Sequence, residues 1–313
     1  MDSHGPATDL LESFRRARRA AESHMRSNED AGETWNETTI TDIILQHARP
    51  FVKSAKFNQN QEGITGADWV WWWLDDAGEA FGMLVQAKRL RIGTKWAIDF
   101  PYPGDWRQYK NLSATAAELD LAPTYALYLG TQQYRAPVTC RSSAHVEDDC
   151  ERCAMEAVSL LLALLGTIGG GFDQTDGEAA YRASRPLESF ADAGTHVDLS
   201  LELHLDRVDP ELRSFLLEPQ HGARQIAKML FDRVAEARKG QFSLATEERI
   251  TTDAQQIFTE YPLDRGHFGA PYYPNILRGL RRTPPAYVMD ALAGFELPEE
   301  ITKNTAGIVV IQL

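Results

Sequence analysis

In the run TGADWVWWWLDDAGEAFGMLVQAKRL, residues 65–90, Asp68 precedes a cluster of tryptophans, and Gln86 and Lys88 stand two apart on a second apolar segment. Side chains alternate across a strand. Gln86 and Lys88 therefore share a face with Leu84 and Leu90, while Val85, Ala87 and Arg89 share the other. Asp68 shares its face with Val70, Trp72 and Leu74. Pairing the two segments as a hairpin would bring Asp68 toward Gln86 and Lys88. Lysine is seldom buried without a partner. A carboxylate, an amide oxygen and an ammonium on one wall suit metal-assisted hydrolysis of a phosphodiester. Asp68 would give charge to a hard cation such as Mg²⁺ or Mn²⁺, and Gln86 a neutral oxygen. Lys88 would orient a water or stabilise charge on the phosphate. The plain alternatives are a turn aspartate after Gly66 and a solvated lysine; Leu84 and Leu90 on the lysine's own face favour the site.

The elements that must position these groups follow from periodicity. Residues 8–27 read as a helix with Leu10, Leu11, Phe14 and Ala17 on one side. Its cluster Arg15, Arg16, Arg18 and Arg19 reads as a solvated face. A second helix runs from Trp35 to His47 and ends before Pro50. Residues 67–74 and 81–90 read as strands joined by DDAGEA, with Gly78 in the turn. Further on come a helix at 105–119, a buried strand at 123–130 and a helix at 151–165. GTIGGGFDQTDG then breaks the chain; it lacks the GK[ST] of a phosphate loop. Alternation predicts a strand at 197–205, a helix follows at 222–239, and the tail GIVVIQL is a last strand. Helix, strand, strand, helix, strand over 35–130 implies an α/β (α+β) fold, a mixed sheet flanked by helices.

The residues GADW…VQAKR resemble the D-(E/Q)-x-K core of the PD-(D/E)XK restriction-endonuclease-like superfamily, nearest to its Mrr-like branch with a D-QxK core. The resemblance covers roughly residues 33–135 and implies a Mg²⁺-dependent endonuclease acting on DNA, with restriction or antiphage defence as a natural setting. It assigns catalysis to Glu37, Asp68, Gln86 and Lys88, and the metal to Asp68, Gln86 and Glu37. Gln108 in WRQYKNL matches the glutamine of the following helix; with Arg89 it is a candidate for substrate contact. Ala67 stands where the family has proline, and Gln86 where it often has an acid. The alternative is a nuclease fold that binds nucleic acid as a sensor with little catalysis. Glu37 has a second reading as a helix cap, since Thr34-x-x-Glu37 fits a capping box and Thr39-x-x-Asp42 a rival one; Glu62 is the reserve acid.

The chain has 313 residues and a formal net charge of −13, which excludes a general nucleic-acid coat. The charge is uneven: residues 1–140 hold 15 basic against 18 acidic residues, and residues 141–313 hold 17 against 27. Six cations against two acids over 86–110 allow a local basic face. The division expected is an N-terminal helix (1–32), a nuclease-like core (33–140) and a C-terminal α/β region (141–313). That acidic region suits a homodimer contact or a protein partner better than DNA. No apolar run approaches the ~20 residues of a membrane span, and the expected setting is the cytoplasm without a membrane partner. Cys140, His145, Cys150 and Cys153 form C-x4-H-x4-C-x2-C, whose final pair could grip Zn²⁺. The pattern matches no standard finger, so free buried cysteines are the expected state. The tryptophans occupy both strand faces and read as core.

Overall fold

A stripe of apolar residues at helical spacing opens the chain: Leu10, Phe14, Ala17, Ala21 and Met25 are all buried on one side of α1 (Pro6–Asp30). The computed structural model describes residues 6–57, 69–98, 100, 107–136, 145, 150–167, 177–191, 208–238, 244–266 and 271–313. After α1 come α2 (Glu37–His47), β1 (Val52–Lys56), β2 (Trp69–Leu74), β3 (Ala80–Arg89), β4 (Arg91–Ile92) and β5 (Trp96–Ala97). Next are α3 (Arg107–Glu118), β6 (Ala122–Tyr128), α4 (Glu151–Met155), β7 (Val158–Leu162), α5 (Ala163–Thr167), α6 (Gly177–Ala183) and β8 (Arg185–Pro186), with a 3₁₀ turn at Leu187–Phe190. The rest comprises α7 (Pro210–Leu217), α8 (Gly222–Arg238), β9 (Leu244–Thr251), β10 (Glu260–Asp264), α9 (Tyr272–Leu277), β11 (Leu280–Arg281), α10 (Ala286–Ala293), α11 (Glu299–Asn304) and β12 (Gly307–Gln312).

The fold is α/β: an eight-stranded mixed sheet flanked by helices, in the order β1-β12-β2-β3-β6-β7-β8, with β11 paired to the start of β3. β2 and β3 form the expected antiparallel hairpin, with Trp69 opposite Val85 and Leu74 opposite Ala80. β3 and β6 run parallel, as do β12 and β2. β12 thus takes the second place in the sheet, between β1 and β2. At Gly307 of β12 a Cβ would lie 2.2 Å from the Trp69 ring and 2.6 Å from the Ala55 carbonyl, so only glycine lets the three strands approach. The strand from the 141–313 segment therefore sits between two strands of the 33–140 segment, inside one sheet.

α1 and α2 lie over the face that carries Trp73, Arg89 and Tyr128: Phe14 meets Trp73 edge-on at 5.9 Å, and the hydroxyls of Thr41 and Tyr128 bond at 2.6 Å. The opposite face carries Trp72, Gln86 and Lys88. There α10 covers Trp72, whose indole N–H donates to Tyr287 at 3.1 Å. Trp69, Trp71, Trp72 and Trp73 are all buried, so each serves the core and none is exposed to stack on a base.

Three sequence expectations change. The segment 151–165 is not one helix: a short α4 leads into β7, whose five residues are all buried between β6 and β8. A continuous apolar run satisfies a two-sided interior strand as well as a buried helix. The cap of α2 is Asn36, whose side-chain oxygen accepts from Thr38 N at 2.8 Å, in place of either threonine. Arg18 is buried, not solvated; it bonds Glu188 and Glu22 at 2.5 Å and Glu151 at 2.8 Å, tying α1 to the 3₁₀ turn and α4. The strand expected at 197–205 lies outside the described residues.

Candidate functional site

β3 is an interior strand, with β2 and β6 on either side, and this burial fixes the environment of its polar residues. Gln86 is 5% exposed and Lys88 7%. In the parallel register with β6, Gln86 lies beside Tyr125 and Lys88 beside Leu127. α3 brings Gln108 onto the same face, where Lys88 Nζ donates to Gln108 Oε1 at 2.6 Å. Gln86 Oε1 and the Tyr125 hydroxyl are buried and have no hydrogen-bond partner among the described residues. Phe100 packs on the Tyr125 ring at 4.9 Å, and burial pushes the tyrosine's pKa upward, keeping the hydroxyl neutral. The group is therefore an ammonium held by an amide, beside an amide oxygen and a phenol whose bonding capacity is unspent.

The other strand face holds the rest of the described candidates. Arg89 donates to the Trp35 carbonyl at 2.7 Å and lies 3.6 Å from the Glu37 carboxylate. Glu37, in the first turn of α2, is half-buried and sits with Arg89, on the side opposite Gln86 and Lys88. The structure thus gathers Gln86, Lys88 and Gln108 at one place, and Glu37 with Arg89 at another. Asp68, Glu62 and Cys140 lie outside the described residues.

Two features were not sought from sequence. At the far end of β3 a cleft of about 560 Å³ is lined by Leu10, Asp75, Glu79, Phe190, His221 and Arg224. Its Asp75, Glu79 and Arg224 are matched. Asp75 accepts from Glu79 N and Ala223 N, each at 2.9 Å, and Arg224 bonds Glu79 at 2.8 Å and Glu211 at 3.0 Å. Those bonds, that to Glu79 foremost, raise the arginine's pKa. The size of this cleft carries less chemical information than the unspent groups at the other end of the strand. Tyr125 was the second omission. Its register with Gln86 needs the β3–β6 pairing, which no local pattern announces.

The segment after β6 brings His145, Cys150 and Cys153 together, with their ligand atoms all within 4.8 Å of one another. Cys153 Sγ lies 3.7 Å from His145 Nδ1, and neither Cys150 nor Cys153 is in a disulfide. The buried Arg135 guanidinium donates to the carbonyls of Gly130 and Cys153 and anchors α4 against the end of β6; burial lowers its pKa.

For Mg²⁺, the buried and unspent oxygen of Gln86 is a suitable neutral donor, and Lys88 beside it is suited to a phosphate rather than to the cation. A carboxylate must supply the charge; Asp68, next in sequence to the paired Trp69, is the candidate. No helix among the described residues is long and apolar enough to cross a membrane. No curated protein and no solved structure matches the chain. One family model does, over residues 10–312, and that span takes in the sheet from α1 to β12 with both side-chain clusters. The chain belongs to this family of unknown function, DUF6615.

Proposed function

We propose that the protein is a metal-dependent nuclease that hydrolyses phosphodiester bonds, with DNA as substrate and bacterial restriction or antiphage defence as the setting. The observation that carries this is the convergence of Gln86, Lys88 and Gln108 on one buried face of β3, with the Gln86 oxygen unspent. Supporting it are the D-QxK spacing and the succession of α2, the β2–β3 hairpin, α3 and a parallel β6. Asp68 and Gln86 would hold Mg²⁺ or Mn²⁺, which supplies a water acidic enough to attack at neutral pH and charge to offset the phosphate. Lys88 would bind a non-bridging phosphate oxygen and stabilise the charge that builds there. Gln108 positions Lys88 through the bond to its ammonium.

The test is cleavage of plasmid and single-stranded DNA, and of RNA, by the full chain with either metal. Cleavage lost in Lys88→Ala and Asp68→Ala, with the fold intact, is the expected result. No cleavage of any substrate by the wild type, and no metal binding gained in Gln86→Glu, would end the enzyme reading. Two observations favour a second reading, a nuclease fold used to bind or sense nucleic acid: Gln86 is neutral where the family often has an acid, and Glu37 is engaged with Arg89 on the other face. Retained nucleic-acid binding without cleavage would select it.

A further inference from the structure

All three cysteines of the chain fall between residues 140 and 153, and two of them converge with a histidine. We propose that His145, Cys150 and Cys153 hold a structural Zn²⁺ that clips the connection between β6 and β7 to α4. The geometry is near what the ion requires. With Zn–S of about 2.3 Å and Zn–N of about 2.0–2.1 Å, the edges of a tetrahedral site are roughly 3.5–3.8 Å. The Cys153–His145 separation of 3.7 Å already lies in that range, and the largest separation in the cluster, within 4.8 Å, closes with about an ångström of movement.

The local structure explains why these residues meet. Cys150 is the residue before α4 and Cys153 is in its first turn, so the C-x2-C spacing folds both sulfurs to one side. Both are buried, at 5% and 6% exposure, whereas His145 is exposed and reaches in from the connection. Arg135 fixes the helix by its bond to the Cys153 carbonyl, which holds the two sulfurs in place. Two thiolates and an imidazole select a borderline-soft ion such as Zn²⁺ over Mg²⁺. The described residues supply three donors, and a water in the fourth position would complete the tetrahedron. Buried sulfurs, and the tie from α4 through Glu151 to Arg18 at 2.8 Å, point to a structural role. This inference does not depend on the nuclease reading.

The test uses the full chain purified without chelator. Elemental analysis should find about one equivalent of zinc, lost in Cys150→Ser and in His145→Ala. The histidine variant alters an exposed side chain, so it reports on the metal even if the cysteine variant does not fold. Reloading with Co²⁺ should give a thiolate-to-metal charge-transfer band and the intense ligand-field bands of a tetrahedral site. Chelation should lower the Tm by several degrees. A metal-free protein that takes up neither ion overturns the proposal. So does a Cys150–Cys153 disulfide in the freshly purified protein, or zinc retained at full occupancy in His145→Ala.

Discussion

At the Ala80 end of β3, Arg224 meets two carboxylates and Asp75 accepts two backbone N–H groups, so these charged groups have partners of matching charge and geometry. At the Arg89 end of the same strand, one bond of Lys88 goes to the neutral amide of Gln108, and the Gln86 oxygen and the Tyr125 hydroxyl are buried without a partner among the described residues. An unsatisfied buried polar group costs about 1–3 kcal/mol. The first end is built for stability, and the second carries, among the described residues, a cost that no bond offsets. That difference, more than the size of the cleft beside Arg224, is the reason the proposed chemistry is assigned to the Arg89 end.

Substituting the lysine gives the largest expected effect. Lys88→Met keeps the apolar stem and deletes the charge. Cleavage should fall ~10²–10³-fold, about 3–4 kcal/mol of transition-state stabilisation. The Tm should change little, because relief of the ammonium's desolvation offsets the lost bond to Gln108. Initial rates and a melting curve on one preparation check both. A variant that loses stability while its folded fraction keeps full rate would make Lys88 a structural residue and erase the contrast between the two ends.

Gln86→Glu sharpens the comparison. A carboxylate at an oxygen that contacts a cation should tighten Mn²⁺ binding by about tenfold, roughly 1.4 kcal/mol, measured by titration calorimetry. Unchanged or weaker binding would place the side chain outside the metal's reach.

How much of this was legible in the sequence depended on how local the cause was. The β2–β3 hairpin was readable because two apolar runs flank a short turn with Gly78, and it appears with Trp69 opposite Val85. Arg18 was misread because its partners Glu151 and Glu188 are more than a hundred residues away. β7 was misread because its buried run VSLLL has no periodicity to distinguish strand from helix. GIVVIQL was recognisable as a strand, but its slot between β1 and β2 was not, since that depends on Gly307 lying against Trp69. At the site, Gln86 and Lys88 could be placed on one face from spacing alone. The resemblance singled out Gln108, and the bond to Lys88 is seen only in the fold. Glu37 could not be assigned a side, because neither the threonine caps nor the helical period reveals the approach of Arg89.

A smaller effect is expected at the stable end. Arg224→Ala should lower stability by about 1 kcal/mol, because its ion pairs are partly solvated and screened. Denaturant melts should show this shift with no change in cleavage rate per folded molecule. A large rate loss would mean that the cleft beside Asp75 takes part in the reaction, and the two ends of β3 would no longer differ in kind.

The smallest expected effect, and the finest division between the ends, comes from Tyr125→Phe. The hydroxyl is buried, unpartnered among the described residues and kept neutral by its surroundings, with Phe100 against the ring. Deleting it removes a desolvated polar atom and leaves the ring's packing intact. If the hydroxyl serves only the fold, the variant should gain up to about 1 kcal/mol, since the wild type carries the unmet group without return. Tyr125 lies beside Gln86 in the β3–β6 register, so a hydroxyl that instead contacts substrate or a metal-bound water would be missed in activity. The expected result is a modest rise in Tm with a rate loss of less than about tenfold, because a neutral phenol stabilises developing charge less than the Lys88 ammonium does. A Tm that falls by several degrees would show that the hydroxyl has a partner in solution, and the contrast between a satisfied and an unsatisfied end of β3 would then rest on Gln86 alone.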